Sequence, residues 1–162
     1  MIDGVLLALT SVAALGCGLM AGVFFAFSSF VMKALARLSS AQGIAAMQAI
    51  NVAVINPVFL GALFGTGALC VVLAVGALTG WQTPGAGYLL AGSVLYLAGD
   101  VLVTMAFNVP LNRGLAAVEP ASAEGAAVWA RYLERWTAWN HVRTVAALAA
   151  AACFTLALAR AV

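Results

Sequence analysis

The stretch YLLAGSVLYLAGDVLVTMAFNVPLN, residues 88–112, decides how this chain folds. Its first part is apolar enough to cross a membrane, since about 20 such residues span the hydrocarbon core. Polar side chains nevertheless recur along it at steps of four residues, a spacing that places them on one helix face. The pattern predicts a spanning helix with one polar stripe that faces a neighbouring helix or a cavity. The stripe consists of Tyr96, Asp100, Thr104, Asn108 and Asn112.

Asp100 is the most expensive member of this stripe. An aspartate at the centre of an inserted helix costs about 2.5 to 3.5 kcal/mol on the translocon scale unless water or a partner receives it. If the helix enters near Tyr88 and leaves near Phe107, Asp100 lies about 10 Å from the nearer boundary at about 1.5 Å per residue. A chain that keeps such a group is expected to use it.

The composition indicates an integral membrane protein. Of 162 residues, 65% are hydrophobic and 7% are charged, whereas soluble domains carry about 25% charged residues. We therefore predict an all-α, single-domain bundle of four membrane-spanning helices. Asp3 precedes the first apolar run, which exceeds the length of a secretory signal, so this helix is expected to be retained. The predicted spans are residues 4–32, 58–78, 88–107 and 142–158.

The connections between spans set the expected orientation. Residues 79–87 form a short, uncharged hairpin, whereas the two connections on the opposite face are longer and are predicted to form short interfacial helices. Residues 40–56, which precede a helix start at Pro57, carry apolar side chains suited to an interfacial helix. Six of the seven basic residues fall on this face, which predicts that it is cytosolic and that both termini are not. A bacterial-type inner membrane is the expected location. The six are Lys33, Arg37, Arg113, Arg131, Arg135 and Arg143.

Other sequence features predict less about function. The net charge of +2 is explained by topology, so no nucleic-acid partner is expected. The three cysteines lack CxxC spacing and are interpreted as small apolar residues. Three GxxxG pairs suit close helix packing, either inside the bundle or between copies in a homo-oligomer. These pairs are Gly18 and Gly22, Gly61 and Gly65, and Gly76 and Gly80.

A second motif, WTAWNHVR at residues 136–143, is expected to open the fourth helix at the depth of Asn108 and Asn112. It contains the only histidine, His141. We predict a polar pocket in the cytosolic half of the bundle, roofed by the tryptophans and the longer connections. Plainer interpretations remain open for each member. The tryptophans can be interfacial anchors, the asparagines can join helices, His141 can cap a helix, and Arg143 can snorkel or pair with Asp100.

Metal and nucleophilic chemistry find little support. One histidine and one buried carboxyl group fall short of a zinc or non-haem iron ligand set, and axial haem ligation would rest on His141 alone. No phosphate loop or nucleophile elbow is present. Ser28 and Ser29 have no nearby base. No cofactor is predicted.

The four-helix layout, the NVPLN segment at residues 108–112 and the WxxWNHxRT segment at residues 136–144 resemble the DUF1772 membrane proteins, also called the anthrone oxygenase family. The resemblance covers nearly the whole chain. Fungal relatives oxidise polycyclic anthrones to anthraquinones, and many bacterial members have no assigned substrate. The resemblance implies functional roles for Asn108, Asn112, Trp139, Asn140, His141 and Arg143, and the physical argument above adds Asp100.

The resemblance implies a membrane oxygenase for a flat hydrophobic compound. A base would deprotonate the acidic methylene of an anthrone, and the carbanion would react with the co-substrate dioxygen without a metal, losing water to give the quinone. We expect His141, or alternatively Asp100, to be the base, with Arg143, Asn108 and Asn140 stabilising the enolate-like oxygen. Trp136, Trp139 and Phe107 would stack on rings delivered from membrane lipids. Asn112, Tyr96 and Thr104 would complete the binding site.

Two alternatives belong to other classes. The chain could be a non-enzymatic membrane protein that binds a small molecule or lipid, or an accessory subunit, in which the polar stripe only specifies helix packing. It could also be a proton or solute pathway built on Asp100. The second is disfavoured because the stripe stops at Tyr96, leaving the outer half of the helix almost without polar groups.

Overall fold

The computed structural model describes residues 4–82 and 84–160. Within them all regular structure is helical and forms five helices: α1 (Gly4–Leu35), α2 (Ser40–Ala53), α3 (Pro57–Thr79), α4 (Ala86–Ala116) and α5 (Ala123–Ala159). All except α2 are long and apolar enough to cross a membrane. The predicted all-α membrane bundle, with a short helical connection on one side, is confirmed.

Local capping chemistry explains where three helices begin. Ser39 and Gln42 form a reciprocal capping box at the start of α2. Asn56 Oδ1 accepts hydrogen bonds from Val58 N at 3.1 Å and from Phe59 N at 3.0 Å, so α3 begins at Pro57 as expected. Ser122 Oγ accepts from Gly125 N at 2.9 Å and starts α5.

Two helices extend beyond the predicted spans. Helix α4 continues past Phe107 through Pro110 to Ala116, and α5 begins at Ala123, well before residue 142. The segment at residues 136–143 therefore lies in the middle of a helix, and its expected position at a helix start is corrected. Proline does not end α4 because the preceding turn is wide, with the Val109 N–H bonded to the carbonyl oxygen of Thr104, five residues back.

Wide π-helical turns occur at Phe27–Val31 in α1 and at Leu97–Leu102 and Thr104–Asn108 in α4. In a regular α-helix, four residues overshoot one turn by about 40°, so a polar stripe at steps of four would drift around the helix. Turns closed by i→i+5 bonds hold more residues and reduce the drift. Asp100 and Asn108 both remain buried as a result.

The helices pack into two apolar clusters with a polar layer between them. α5 packs extensively against both α1 and α4. One cluster, which includes Met20, Leu73 and Phe154, fills the half nearer the α3–α4 hairpin. The other, which includes Ile44 and Trp129, fills the half that carries most of the arginines, here called the basic end. The polar layer between them consists of Ser28, Asp100, Thr104, Asn108, Asn140, Arg143 and Thr144.

Gly99 allows the close approach of α4 to α5, since a Cβ atom there would overlap the Cβ of Ala146. We expect Gly99→Ala to destabilise the folded protein by about 1 to 3 kcal/mol through overpacking. Gly114→Ala is the matched control on the same helix, because a Cβ there meets no atom within 4 Å. Thermal unfolding of the purified protein in detergent, followed by circular dichroism, measures both. Equal midpoints for the two variants would contradict this account of the α4–α5 contact.

Candidate functional site

A recess of about 610 Å³ lies in the half of the bundle nearer the basic end and is lined by residues of all five helices. Its walls are mainly apolar, with Phe24 and Phe27 from α1, Leu63 from α3 and Met105 from α4. An apolar cavity with a few convergent polar groups is the usual form of a small-molecule site. The polar residues that line it are Gln48, Asn51, Thr104, Asn108, Asn112, Arg113 and Arg143.

Arg143 is the central polar group of the recess and is only 5% exposed. One guanidinium nitrogen donates to Asn140 Oδ1 at 2.7 Å, and the other donates to Thr104 Oγ1 at 3.2 Å. The guanidinium carbon lies 4.2 Å from the ring centroid of Phe24 and 5.2 Å from that of Trp136. The Nε–H has no hydrogen-bond partner among the described residues. A buried cation is thus held by rings and hydrogen bonds, with one donor unused.

Two asparagines that line the recess also carry unused polar atoms. Asn108 Nδ2 donates to the Trp136 carbonyl oxygen at 3.2 Å, while its buried Oδ1 has no partner within residues 4–82 and 84–160. The buried Nδ2 of Asn51, on α2, is likewise unbonded within the same ranges. Since unpaired buried polar atoms are costly, these residues are candidates for contacting a bound molecule.

Asn112 and Gln48 hold the roof of the recess together. Asn112 Oδ1 accepts hydrogen bonds from Tyr132 Oη and from Trp136 Nε1, both at 2.8 Å, which ties α4 to α5. Gln48 Nε2 donates to the carbonyl oxygens of Leu115 and Val118, at 2.8 and 3.1 Å, and so fastens α2 to the end of α4. Both residues therefore line the recess and also fix its shape.

Asn140 has a structural place in the polar layer. Its Nδ2 donates to the Phe24 carbonyl oxygen and to Ser28 Oγ, both at 2.7 Å, and its Oδ1 accepts from Arg143. Ser28 and Thr144 join this network through a 3.1 Å contact between their hydroxyl oxygens. Asn140, expected to contact substrate, instead links the wide turn of α1 to α5 and orients Arg143.

Asp100 and Tyr96 lie deeper than the recess and do not line it. Tyr96 is fully buried and donates to the Leu63 carbonyl oxygen at 3.1 Å, which joins α4 to α3. Asp100 is also fully buried, and neither carboxyl oxygen has a hydrogen-bond partner in the described part of the chain. The direct pair with Arg143 considered from the sequence is not hydrogen-bonded, since both carboxyl oxygens of Asp100 are unbonded and Arg143 donates instead to Thr104, one helical turn from Asp100.

His141 does not lie on the recess, which corrects its expected position beside Asp100. It is exposed and lines a more open apolar groove between α4 and α5, next to Ala98 and Val145. Phe107 and Trp139 are also absent from the recess wall, and their rings stack on each other at 3.7 Å between centroids. The expected arrangement of these rings around a ligand in the pocket is therefore corrected as well.

The reason for this difference is helical periodicity. Trp136, Asn140 and Arg143 follow the i, i+4, i+7 spacing of one helix face, and all three are buried. His141, directly after Asn140, is turned away from that face by about 100°. Residues 136–143 were expected to begin a helix, so the i, i+4, i+7 spacing across them was not recognised. Phe24, Phe27 and Gln48 also line the recess and were not predicted to, although Gln48 is a polar residue beside Met47 in a mainly apolar stretch.

Four apolar spans around an internal recess define a multi-pass helical membrane protein. Within this class, residues 56–153 match the family described as anthrone oxygenase, and the chain belongs to that family. The match confirms the resemblance found in the sequence and covers most of α3, α4 and α5. No curated protein and no solved structure matches the chain.

The two hydrogen bonds received by Asn112 yield a stability prediction. Asn112→Ala would leave the Tyr132 and Trp136 donors unpaired, and we expect a loss of about 2 to 6 kcal/mol, since each buried unpaired group costs about 1 to 3 kcal/mol. Tyr132→Phe and Trp136→Phe remove the donors themselves. In double-mutant cycles measured by thermal unfolding, either change should cost less in the Asn112→Ala background than in the original protein. If the losses of stability were additive, the hydrogen bonds from Tyr132 and Trp136 to Asn112 would be refuted.

Proposed function

We propose that this protein is a membrane oxygenase that holds a flat, hydrophobic, anthrone- or quinone-like compound in the recess. The observation that carries the proposal is a buried guanidinium with an unused donor, facing a mainly apolar recess, in a member of the anthrone oxygenase family. Apolar walls suit the rings, and the cation suits an oxygen atom that gains negative charge.

The proposed reaction begins with loss of a proton from the ring methylene of an anthrone, which moves negative charge onto the carbonyl oxygen. Arg143 stabilises that oxygen, and Asn51 Nδ2 is a second available donor. The carbanion then transfers electrons to dioxygen, a carbon–oxygen bond forms, and the resulting peroxide anion takes a proton back from the base to give a hydroperoxide. Loss of the remaining methylene proton breaks the oxygen–oxygen bond and releases water, leaving the quinone. Dioxygen is the oxidant, and the proposal includes no protein-bound metal or cofactor.

Asp100 is the proposed proton acceptor in place of His141. Its carboxyl oxygens are free of hydrogen bonds among the described residues. It lies one helical turn from Thr104, and Thr104 lines the recess. Because Asp100 does not line the recess, a proton would have to reach it through an intervening water or after a side-chain rotation. His141 lines a different surface and has no part in this mechanism.

Oxygen uptake by purified protein supplied with emodin anthrone tests the proposal. We expect Arg143→Met to lower the enzyme-dependent rate by about 100-fold, the usual effect of losing an oxyanion-stabilising donor. Arg135→Met is the matched control, because Arg135 is an exposed arginine on the same helix and does not line the recess. Asp100→Asn should also reduce turnover, whereas His141→Ala should leave it unchanged.

The rates of these variants distinguish the roles of Arg143, Asp100 and His141. A blank with heat-denatured protein removes spontaneous oxidation of the anthrone from the measured rate. Loss of activity in His141→Ala would restore the histidine as the base and reject Asp100. Equal rates for Arg143→Met and Arg135→Met would reject the recess as the place where the reaction occurs.

A binding protein without catalysis is the second candidate, and one observation favours it. The titratable side chains on the recess wall are Arg113 and Arg143, so no base touches the recess directly. In this case the protein would bind the quinone or its precursor through Arg143 and consume no oxygen. Arg143-dependent binding without enzyme-dependent oxygen uptake would support this role over the oxygenase.

We further propose that the basic end faces the cytosol and that the recess lies on the cytosolic side of the membrane. The excess of arginine and lysine at this end supports the orientation. Alkaline phosphatase, which is active only outside the cytosol, should be active when fused after Arg160 and inactive when inserted between Ala117 and Ser122. The opposite pattern would reverse the orientation without affecting the recess.

A further inference from the structure

Helices α3 and α4 separate as they approach the basic end. Their contacts extend from the hairpin to about Leu102 and are sparse beyond it. Here the recess wall is formed by Leu60 and Phe64 of α3 and by Met105 and Val109 of α4. Phe64 is 44% exposed and Met105 is 52% exposed, although both line the recess. These residues therefore belong at once to the inner wall and to the outer surface.

The side of the recess toward the basic end is covered, although Val52 and Ile55 there line the recess and are 74% and 70% exposed. Helix α2 covers it, with Gly43 packed so tightly on Trp129 that a Cβ atom would overlap the indole ring. Gln48 fixes the middle of α2 to the last turn of α4 and the segment beyond it. The gap between α3 and α4 has few helix–helix contacts beyond Leu102, and its rim is apolar.

We infer that the recess is loaded sideways from the bilayer, through a lateral opening between α3 and α4 rimmed by Phe64 and Met105. The occupant is a neutral, flat hydrophobic molecule already dissolved in the membrane, which meets Arg143 only after passing the rim. A charged or water-soluble precursor would not use this route, since an apolar rim in lipid does not offset desolvation of a charge. This inference rests on the proposed function and adds the substrate's physical class and path.

Blocking the opening with a bulky thiol label tests the route. Met105→Cys is labelled with a large maleimide, and Leu102→Cys carries the same label as the matched control. Leu102 is 60% exposed on the same helix and does not line the recess. Cys153→Ala in both proteins removes the partly exposed native thiol, while Cys17 and Cys70 are fully buried.

The probe is dihydroxyanthraquinone dissolved in lipid nanodiscs, and its arrival is followed by quenching of tryptophan fluorescence, since Trp136 lines the recess. Quenching that is lost in the Arg143→Met variant is taken to report binding of the probe in the recess. The label at residue 105 should slow both association and dissociation of the probe by about ten-fold and leave their ratio unchanged, because a gate alters rates but not the bound state. The label at residue 102 should change neither rate.

The possible failures are distinguishable. Arg143-dependent binding that is equally fast with both labels would overturn the lateral route and leave the proposed function standing. No Arg143-dependent binding in the unlabelled protein would overturn the proposed function and this inference together.

Discussion

The buried guanidinium of Arg143 constrains the middle of the bundle. A cation removed from water is costly, and that cost is offset here by Asn140, Thr104 and the faces of Phe24 and Trp136. Asn140 and Trp136 belong to α5, Thr104 to α4 and Phe24 to α1, and Asn140 and Trp136 are held by further hydrogen bonds to α1 and α4. The polar layer is therefore a set of mutually dependent positions, which separates two apolar clusters that would otherwise form one core.

The need to place the polar partners of Arg143 in one buried layer also explains where the wide turns occur. Those in α1 and α4 lie at the level of the polar layer, with Ser28 in one and Asp100 and Asn108 in the others. Wide turns are frequent at functional sites because they redirect side chains without ending the helix. Here they turn successive polar residues inward and let α4 pass through Pro110.

Much of the fold followed from the sequence because apolar length and turn chemistry are local properties. The hairpin, the cap at Asn56 and the polar stripe are of this kind. The start of α5 was missed because its first half is rich in charge and does not resemble a span. The site was predicted less completely: Arg143, Asn108 and Asn112 do line the recess, whereas His141 and Trp139 do not. Which residues share a face depends on whether the whole segment is helical, so the misplaced His141 followed from the misplaced start of α5.

The length of α5 has a consequence for the surroundings of the protein. Its 37 residues extend about 55 Å, whereas the hydrocarbon core is about 30 Å thick. Much of the helix must therefore project beyond the acyl chains or tilt within them. A thicker or thinner bilayer would shift the headgroup level relative to Phe64 and Met105. Membrane thickness, which differs with lipid composition, thus sets whether fatty chains or polar headgroups border the gap between α3 and α4.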